Sequence, residues 1–362
     1  MQIFKKAIFL LGLLALIAFF LFLIFKDEGK RTEVVVQKEI EKIIPEKFSE
    51  EKSAPKETKI IFVGDLMLDR YYRLLTAKNG VDWITEKTRS IFDGQDFVVA
   101  NLEGPITDKK SVSAGTGWSN PSVLTFTFDP QKTIEFLKNN KINLANIGNN
   151  HILNFGQGGL AQTESILEKN SIGYFGDPYD DNKNYISQEV NGMKIGFVNY
   201  NQFANRSTEK VAEQIKKLKT EDDFVIVYTH WGNEYQLKET EAQREKAHLF
   251  VDNGADLVIG SHPHVVEPLE IYKNKAIFYS LGNFVFDQFF SENTKNGLAV
   301  GVSLAEDEQE FTLIPLYNMK GQIVLADENK SKILLERISR NSLADEETKS
   351  DILTGKFVLK SN

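Results

Sequence analysis

The sequence contains no cysteine, and only five of its 362 residues are histidine. The absence of cysteine excludes a disulfide framework, a thiolate metal site and catalysis by a cysteine nucleophile. Basic residues are also outnumbered, with 43 lysine and arginine residues against 51 aspartate and glutamate residues, for a formal net charge of −8. We therefore expect no nucleic-acid partner, because binding to a phosphate backbone requires a basic surface.

Long apolar runs are scarce, and the one exception lies near the N-terminus. After a short flank at residues 1–6, residues 7–25 are hydrophobic except for Gly12. A helix of about 19 residues is long enough to cross a hydrocarbon core of about 30 Å. No small-residue cleavage site follows, so we predict a single-pass, uncleaved membrane anchor. Basic residues on both sides leave the orientation undecided by charge, and we expect the rest of the chain to be extracytoplasmic.

Residues 26–57 carry eight basic and nine acidic residues together with Pro45 and Pro55. A segment of this composition buries too little apolar surface to offset the entropy lost on ordering, so we predict a solvated stalk.

The pattern of a folded domain begins at Lys59. Short runs rich in Val, Ile and Phe predict buried strands at 59–63, 97–100, 142–145, 224–228 and 257–259. Helical spacing predicts helices at 130–137, 159–169, 208–218, 240–253 and 333–338. Hairpins are predicted around Asn191-Gly192, over 269–279 and over 298–325. The combination predicts an α/β fold with mixed sheets over residues 58–340. We expect a polar C-terminal tail at 341–362, with its last ~15 residues frayed.

Polar side chains follow each predicted strand, at the end where ligands collect in α/β proteins. They comprise carboxylates, an amide and imidazoles, without sulfur. Such a mixed set suits a borderline divalent ion such as Mn, Fe or Zn. The candidate metal ligands are Asp65, Glu103, Asn150, His230, His262 and His264.

The closely spaced pair His262 and His264 is the sharpest element of this set. Side chains two residues apart in an extended chain point the same way. Pro263 restricts the backbone between them, so we predict that both imidazoles face one metal centre or two adjacent ones. A hydrogen-bonded core histidine is the alternative, and we favour the metal interpretation.

Two further residues are candidates for catalysis. His151 follows Asn150, so it is a candidate acid or oxyanion donor, with a turn cap as the alternative. Arg70 is a candidate contact for an anionic substrate, with an ordinary surface charge as an equal alternative. We interpret His248, which lies within a predicted helix, as structural.

Six short motifs occur in a fixed order along the chain. They are Gly64-Asp65-Leu66-Met67-Leu68-Asp69-Arg70, Asn101-Leu102-Glu103-Gly104, Asn149-Asn150-His151, His230-Trp231-Gly232-Asn233-Glu234-Tyr235, Gly260-Ser261-His262-Pro263-His264-Val265 and Tyr279-Ser280-Leu281-Gly282-Asn283-Phe284. This order resembles the CapA family of bacterial poly-γ-glutamate capsule synthesis proteins. That family in turn resembles the calcineurin-like metallophosphoesterases, which implies a sandwich of two mixed β-sheets flanked by helices. In that larger group, a two-metal site activates water for attack on a phosphate ester.

The resemblance also implies individual roles. Asp65 corresponds to the first metal-binding aspartate and Glu103 to the bridging carboxylate. Asn150, His230 and His262 correspond to ligands of one ion, His264 to a ligand of the other, and His151 to the proton donor.

Two departures from the phosphoesterase pattern are visible. Met67 stands where a histidine ligand is expected, and a thioether is a poor ligand for such an ion. The first ion would then keep only Asp65, Glu103 and His264. Asn154 stands where the family usually has aspartate, which removes a negative charge near His151.

The resemblance implies a membrane-anchored protein that acts in the synthesis or export of an anionic cell-surface polymer such as poly-γ-glutamate. It would hold one or two divalent ions and act beside other membrane-bound capsule proteins. One alternative is a metal-dependent phosphoesterase acting on envelope phosphoesters, and another is a non-catalytic module that binds polyanions. Residues 58–362 contain 33 basic and 42 acidic residues. An anionic substrate would therefore require a local positive centre, for which bound metal is the simplest candidate.

Overall fold

The computed structural model describes residues 57–114, 116 and 123–360. The predicted anchor at 7–25, and the predicted stalk apart from Glu57, lie outside the described residues. Within the described part of the chain, no helix is both long enough and apolar enough to cross a membrane.

Strands and helices alternate over the first two thirds of the described chain, and strands dominate most of the remainder. The strands are β1 (Thr58–Leu66), β2 (Phe97–Leu102), β3 (Leu144–Asn146), β4 (Gly173–Phe175), β5 (Tyr185–Val190), β6 (Met193–Asn201), β7 (Phe224–His230), β8 (Leu257–Ser261), β9 (Leu269–Tyr272), β10 (Lys275–Phe278), β11 (Asn283–Val285), β12 (Asn296–Leu304), β13 (Glu308–Met319), β14 (Gln322–Leu325) and β15 (Lys356–Lys360). The helices are α1 (Tyr71–Asn79), α2 (Pro130–Asn139), α3 (Gly156–Lys169), α4 (Thr208–Glu221), α5 (Glu241–Asp252), α6 (Glu292–Lys295), α7 (Glu328–Asn341) and α8 (Glu346–Thr354). Short 3₁₀ turns lie at Asp82–Ile84, Arg89–Phe92 and Asp181–Lys183.

The strands form two mixed sheets. The first has the order β14-β13-β12-β1-β2-β3-β4, with β11 beside β1 and β15 beside β13, and the second has the order β5-β6-β7-β8-β10-β9. In the first sheet β1 pairs parallel with β2 and antiparallel with β12. In the second, β6 pairs antiparallel with β5 and parallel with β7. The prediction of an α/β fold with two mixed sheets flanked by helices is confirmed.

Alternate side chains of β1 enter different cores. Ile60 and Phe62 pack with Ile226 of β7 in the core between the two sheets. Ile61 and Val63 face the other way, into a core shared with helices α2 and α3. A third core lies between the second sheet and helices α4 and α5. Because both faces of the central strands are covered, these strands are continuously apolar, as their sequences predicted.

Local signals in the sequence fix several connections. Asn191 and Gly192 join β5 to β6 with φ of 54° and 83°, which are the positive values that a type I′ hairpin turn requires. At the start of α2, the Asp129 carboxylate accepts a hydrogen bond from Lys132 N at 3.0 Å. Pro130 occupies the first turn, as predicted.

The C-terminal segment corrects one prediction, because residues 341–360 do not form a frayed tail. Helix α8 ends at Gly355, and β15 then pairs antiparallel with β13. Phe357 and Leu359 are buried, whereas Lys356, Val358 and Lys360 are exposed. The alternation of buried and exposed side chains is that of an edge strand with one buried face.

A close approach between β1 and the segment before β11 positions the end of β1. Asp65 N donates to Gly282 O at 3.1 Å, and Asp65 lies opposite Asn283. A Cβ atom added at Gly64 would lie 1.8 Å from Gly282 O. Only glycine therefore allows this approach without moving the backbone.

We expect Gly64→Ala to lower the free energy of unfolding by about 3 kcal/mol or more, because the clash is with main-chain atoms. The matched control is Gly158→Ala in α3, where an added Cβ meets nothing within 4 Å, and we expect that change to be neutral or slightly stabilising. Denaturant unfolding of the purified variants measures both. Equal stabilities for the two variants would contradict the packing described here.

Candidate metal centre

Polar residues from both sheets meet at the carboxyl ends of the parallel strands. In the first sheet, Asp65 lies opposite Asn101, and Asn101 lies opposite Asn146. In the second sheet, His230 lies opposite Asn201 and Ser261. The strand-end residues predicted from the sequence therefore form one buried polar cluster.

The core of this cluster is formed by Asp65, Glu103 and His264, which are all buried. His264 Nδ1 lies 3.1 Å from Asp65 Oδ2, and His264 Nε2 lies 3.7 Å from Glu103 Oε1. One donor atom from each residue lies within 4.8 Å of the other two. These are the three residues that the family resemblance leaves for the first ion.

The hydrogen bonds of His264 determine which of its ring nitrogens is free. Nδ1 lies 3.0 Å from Asn283 Oδ1 and also faces Asp65 Oδ2. Both oxygens are acceptors, so Nδ1 carries the proton and donates it. The Nε2 lone pair is then directed toward Glu103, which is the arrangement of a metal-binding histidine held by its other nitrogen.

The carboxylates of Asp65 and Glu103 show most clearly that the residues of this cluster fit a bound cation. Glu103 Oε1 is buried and has no hydrogen-bond partner among the described residues. Burial, reinforced by the charge of Asp65, raises the pKa of Glu103 well above its usual value. Burial also opposes ionisation of Asp65, but the hydrogen bonds that its carboxylate receives from His264 and Asn101 outweigh burial and lower the Asp65 pKa. A bound divalent ion would satisfy the free oxygen and stabilise the charged form of Glu103, so these residues fit such a group.

A second group of candidate ligands lies beside the first. His230 Nε2 contacts Asn150 Oδ1 at 3.0 Å, and the rings of His230 and His262 are 4.8 Å apart. Burial lowers the pKa of His262 to about 3 and that of His230 well below its usual value. Both imidazoles are therefore neutral near pH 7, which is the form that binds metal ions.

The backbone of the histidine pair differs from the prediction. The pair was expected to lie in an extended segment, but His262 has φ of 97° and His264 has φ of 58°. The rings converge, with centroids 5.9 Å apart, because the chain turns around Pro263 and not because of strand alternation. Non-glycine residues in such conformations cost about 1–3 kcal/mol each and are concentrated at functional sites.

His151 lies at the edge of the buried cluster. Its Nε2 is 3.9 Å from Glu103 Oε1, and its ring packs on Phe126 with centroids 4.2 Å apart. Asn154 Oδ1 lies 3.1 Å from His151 Nδ1 and also accepts a hydrogen bond from Phe126 N. The amide oxygen thus holds the proton on Nδ1 and turns Nε2 toward Glu103. Burial lowers the pKa of His151 to about 4, so the ring is neutral near pH 7.

The structure excludes one of the two alternatives for Arg70, that of an ordinary surface charge, because this residue is buried. It is 2% exposed, and its Nε donates to Asp287 Oδ1 at 2.9 Å. Its guanidinium lies over the rings of Phe126 and Phe286, 5.2 and 5.3 Å from their centroids. Arg70 is therefore a buried cation paired with Asp287, adjacent through Phe126 to His151.

Met67 and His248 both lie outside the donor groups of the cluster. The Met67 side chain belongs to the apolar core, and its Sδ accepts a hydrogen bond from Asp69 N at 3.1 Å. His248 contacts Glu270 Oε1 at 2.9 Å and stacks on Tyr272 with ring centroids 3.7 Å apart. These contacts agree with the interpretation of His248 as structural.

Asn101 connects the two halves of the cluster, and the candidate ligand list omitted it. Its Nδ2 donates to Asp65 Oδ1 at 2.8 Å and lies 3.2 Å from His230 Nδ1. Its Oδ1 accepts from Asn146 Nδ2 and Asn149 Nδ2 at 3.0 and 3.2 Å. One signal was present in the sequence, because asparagine is depleted inside strands and here it lies in an otherwise apolar one.

Comparison with known sequences identifies relatives over most of this domain. The family described as bacterial capsule synthesis protein PGA_cap matches residues 59–288. The PGA biosynthesis protein CapA of Bacillus subtilis (strain 168) is 31% identical over 301 residues, which is 78% of this chain and 77% of that protein. The capsule biosynthesis protein CapA of Bacillus anthracis is 29% identical over 282 residues, 72% of this chain and 67% of that protein.

Comparison with solved structures finds more distant similarity. The NAD nucleotidase of Haemophilus influenzae aligns with 83% of this chain and 66% of its own at 13% sequence identity, with a TM-score of 0.44.

We expect Asn101→Ala to lower the free energy of unfolding by about 2–4 kcal/mol, because it leaves several buried polar groups without their hydrogen-bond partner. Asn329→Ala, at an exposed position of α7, is the matched control and should change stability by less than about 0.5 kcal/mol. Denaturant unfolding in the presence of chelator measures both values. If Asn101→Ala were as stable as the control, Asn101 would not be the connecting residue described here.

Proposed function

The chain belongs to the PGA_cap family of bacterial capsule synthesis proteins, and from this premise we propose that it acts in the synthesis or export of an anionic cell-surface polymer. The relative in Bacillus subtilis is named PGA biosynthesis protein CapA, and we propose poly-γ-glutamate as the polymer for this chain. We further propose that the protein acts through one or two divalent ions, Mn, Fe or Zn, held at the strand ends.

The observation that carries the metal proposal is the buried group formed by Asp65, Glu103 and His264. Two carboxylates share this site with an imidazole whose Nε2 is free, and Glu103 Oε1 has no partner in the described structure. Buried charges of one sign are stable only when an opposite charge compensates them. The arginine beside the cluster, Arg70, is already paired with Asp287. A divalent ion supplies the missing charge, with Asn150, His230 and His262 available for a second ion.

The net charge of the domain explains what the ion would contribute. Residues 58–362 carry 33 basic and 42 acidic residues, so the domain as a whole repels a polyanion. A bound ion would provide a local positive centre for carboxylate or phosphate oxygens. Substrate recognition would then depend on the cluster and not on a basic surface.

We propose that residues 7–25 anchor the chain in the cell membrane, with the domain outside the cytoplasm and near other membrane-bound capsule proteins. The support is the hydropathy of this run. We expect external protease to digest the domain in intact spheroplasts, whereas a cytoplasmic marker protein survives. A domain that survives until the membrane is permeabilised would contradict this placement.

One specific observation favours a second candidate, a metal-dependent phosphoesterase acting on envelope phosphoesters. His151 Nε2 lies 3.9 Å from Glu103 Oε1, so an acid–base group lies directly beside the candidate ligands. Residue 67 is methionine and not histidine, so the first ion would have fewer protein ligands. This departure argues against the phosphoesterase. A non-catalytic module that binds polyanions through the same ions is the remaining alternative.

The decisive experiment compares Glu103→Gln with Glu267→Gln in the full chain purified in detergent. Glu267 is a suitable control because it is also a buried carboxylate, and it accepts a hydrogen bond from Gln243 outside the cluster. We expect the wild-type protein and the control to retain one or two divalent ions by elemental analysis, and Glu103→Gln to lose at least one. In cells, Glu103→Gln should reduce surface polymer at least about tenfold, as expected for loss of a metal ligand.

Two further results separate the alternatives. Hydrolysis of a phosphodiester panel that disappears in His151→Ala would establish the phosphoesterase. Metal-dependent binding of poly-γ-glutamate without any hydrolysis would establish the binding module. A metal-free protein that supports normal polymer levels would contradict the proposal as a whole.

A further inference from the structure

A second set of donor atoms lies where the cluster meets solvent. It consists of Glu234, His262 and His264, and one donor atom from each lies within 4.8 Å of the other two. The two histidines are buried and Glu234 is exposed. Glu234 belongs to the motif His230-Trp231-Gly232-Asn233-Glu234-Tyr235, yet the family resemblance gives it no role.

The main chain holds this set together. Trp231 N donates to Ser261 O at 3.1 Å, and Tyr235 N donates to Pro263 O at 2.8 Å. These two hydrogen bonds flank Glu234 on one segment and His262 on the other. The carboxylate and the histidine pair are therefore fixed to each other by the backbone and do not depend on side-chain contact alone.

An unsatisfied ring nitrogen on one member of this set points to a ligand. His262 is 5% exposed, and its Nδ1 has no hydrogen-bond partner among the described residues. Its ring packs on Phe203, with centroids 4.4 Å apart. A buried imidazole nitrogen without a hydrogen-bond partner destabilises the protein. Coordination of a cation would remove this cost.

The spacing is compatible with binding to one ion. Nitrogen and oxygen ligands lie about 2.0–2.2 Å from zinc, so two ligands of one ion are at most about 4.4 Å apart. The three donor atoms all lie within 4.8 Å of one another, which is close to this span. Because Glu234 is exposed, its side chain can rotate toward the two imidazoles.

We propose that Glu234 is a metal ligand, and that it binds one divalent ion together with His262 and His264 at the solvent-facing side of the cluster, so that the two histidines share an ion instead of serving two separate ions as the resemblance implies. Two imidazoles and one carboxylate form the three-ligand set that leaves open positions in zinc enzymes and in non-haem iron sites. Glu234 thus provides an oxygen ligand in a protein where Met67 provides no imidazole. This inference rests on the proposed function, because it places an ion at the same site.

The test is titration of the full chain, stripped of metal in detergent, with Co²⁺ and Zn²⁺. Calorimetry gives the affinity and number of ions, and the visible bands of Co²⁺ report the ligands around it. We expect Glu234→Gln to weaken binding of one ion at least about tenfold and to change the Co²⁺ spectrum, as expected for loss of a ligand. Glu234→Asp keeps a carboxylate, so its affinity for this ion should lie between those of the wild type and Glu234→Gln.

Glu241→Gln is the matched control, because Glu241 is another exposed glutamate, at the start of α5. Glu241→Gln should bind Co²⁺ and Zn²⁺ with the same affinity and number of ions as the wild type. Since Glu234 is exposed, its variants should also have the same melting temperature as the wild type without metal.

The outcomes distinguish this inference from the proposal on which it rests. If the wild type binds ions and Glu234→Gln binds them with unchanged affinity and spectrum, the role of Glu234 is wrong and the proposed metal site remains. If the wild type binds neither Co²⁺ nor Zn²⁺, both proposals are wrong.

Discussion

Two buried carboxylates at the end of the first sheet impose the strongest constraint on this structure. Asp65 and Glu103 are fully buried, and burying charge without compensation is very unfavourable. The surrounding residues supply much of the compensation. Asp65 receives hydrogen bonds from Asn101 and from the backbone of His262. The compensation is incomplete at Glu103, which is why we assign a cation to this point.

The fold can be understood as the scaffold that this arrangement requires. Two sheets pack through a common apolar core, and both direct the carboxyl ends of their parallel strands toward the same cluster. Gly64 allows β1 to approach Gly282 closely, which sets Asp65 beside Asn283. The turn at Pro263 then brings His264 onto both residues. Apolar packing therefore fixes the positions of polar groups that would not otherwise remain together in a protein interior.

Much of the fold was predictable from the sequence because its signals are local. Val- and Ile-rich runs marked the central strands, Asn191-Gly192 marked a hairpin, and Asp129-Pro130 marked a helix start. The C-terminal strand β15 was missed because it spans only five residues, Lys356–Lys360, and the exposed position between its two buried residues is the apolar Val358. Its stability depends on β13, which is distant in sequence.

The candidate site was predictable in membership but not in geometry. Strand-end position identified the candidate ligands, and the structure brings them together. The left-handed turn at His262 and His264 was not predictable, because positive φ is uncommon for any non-glycine residue. The pairing of Arg70 with Asp287 joins residues 217 positions apart, and no local pattern reports such a contact. The role proposed for Glu234 likewise depends on two backbone hydrogen bonds between separate segments.

The central claim is that a divalent ion compensates the charge of Asp65 and Glu103. The most direct measurement is anomalous diffraction from crystals grown with Mn²⁺ or Zn²⁺, with data collected on both sides of the metal absorption edge. Our account predicts an anomalous peak about 2.0–2.3 Å from His264 Nε2 and from a carboxylate oxygen of Glu103. Well-ordered side chains with no peak between these residues would contradict it.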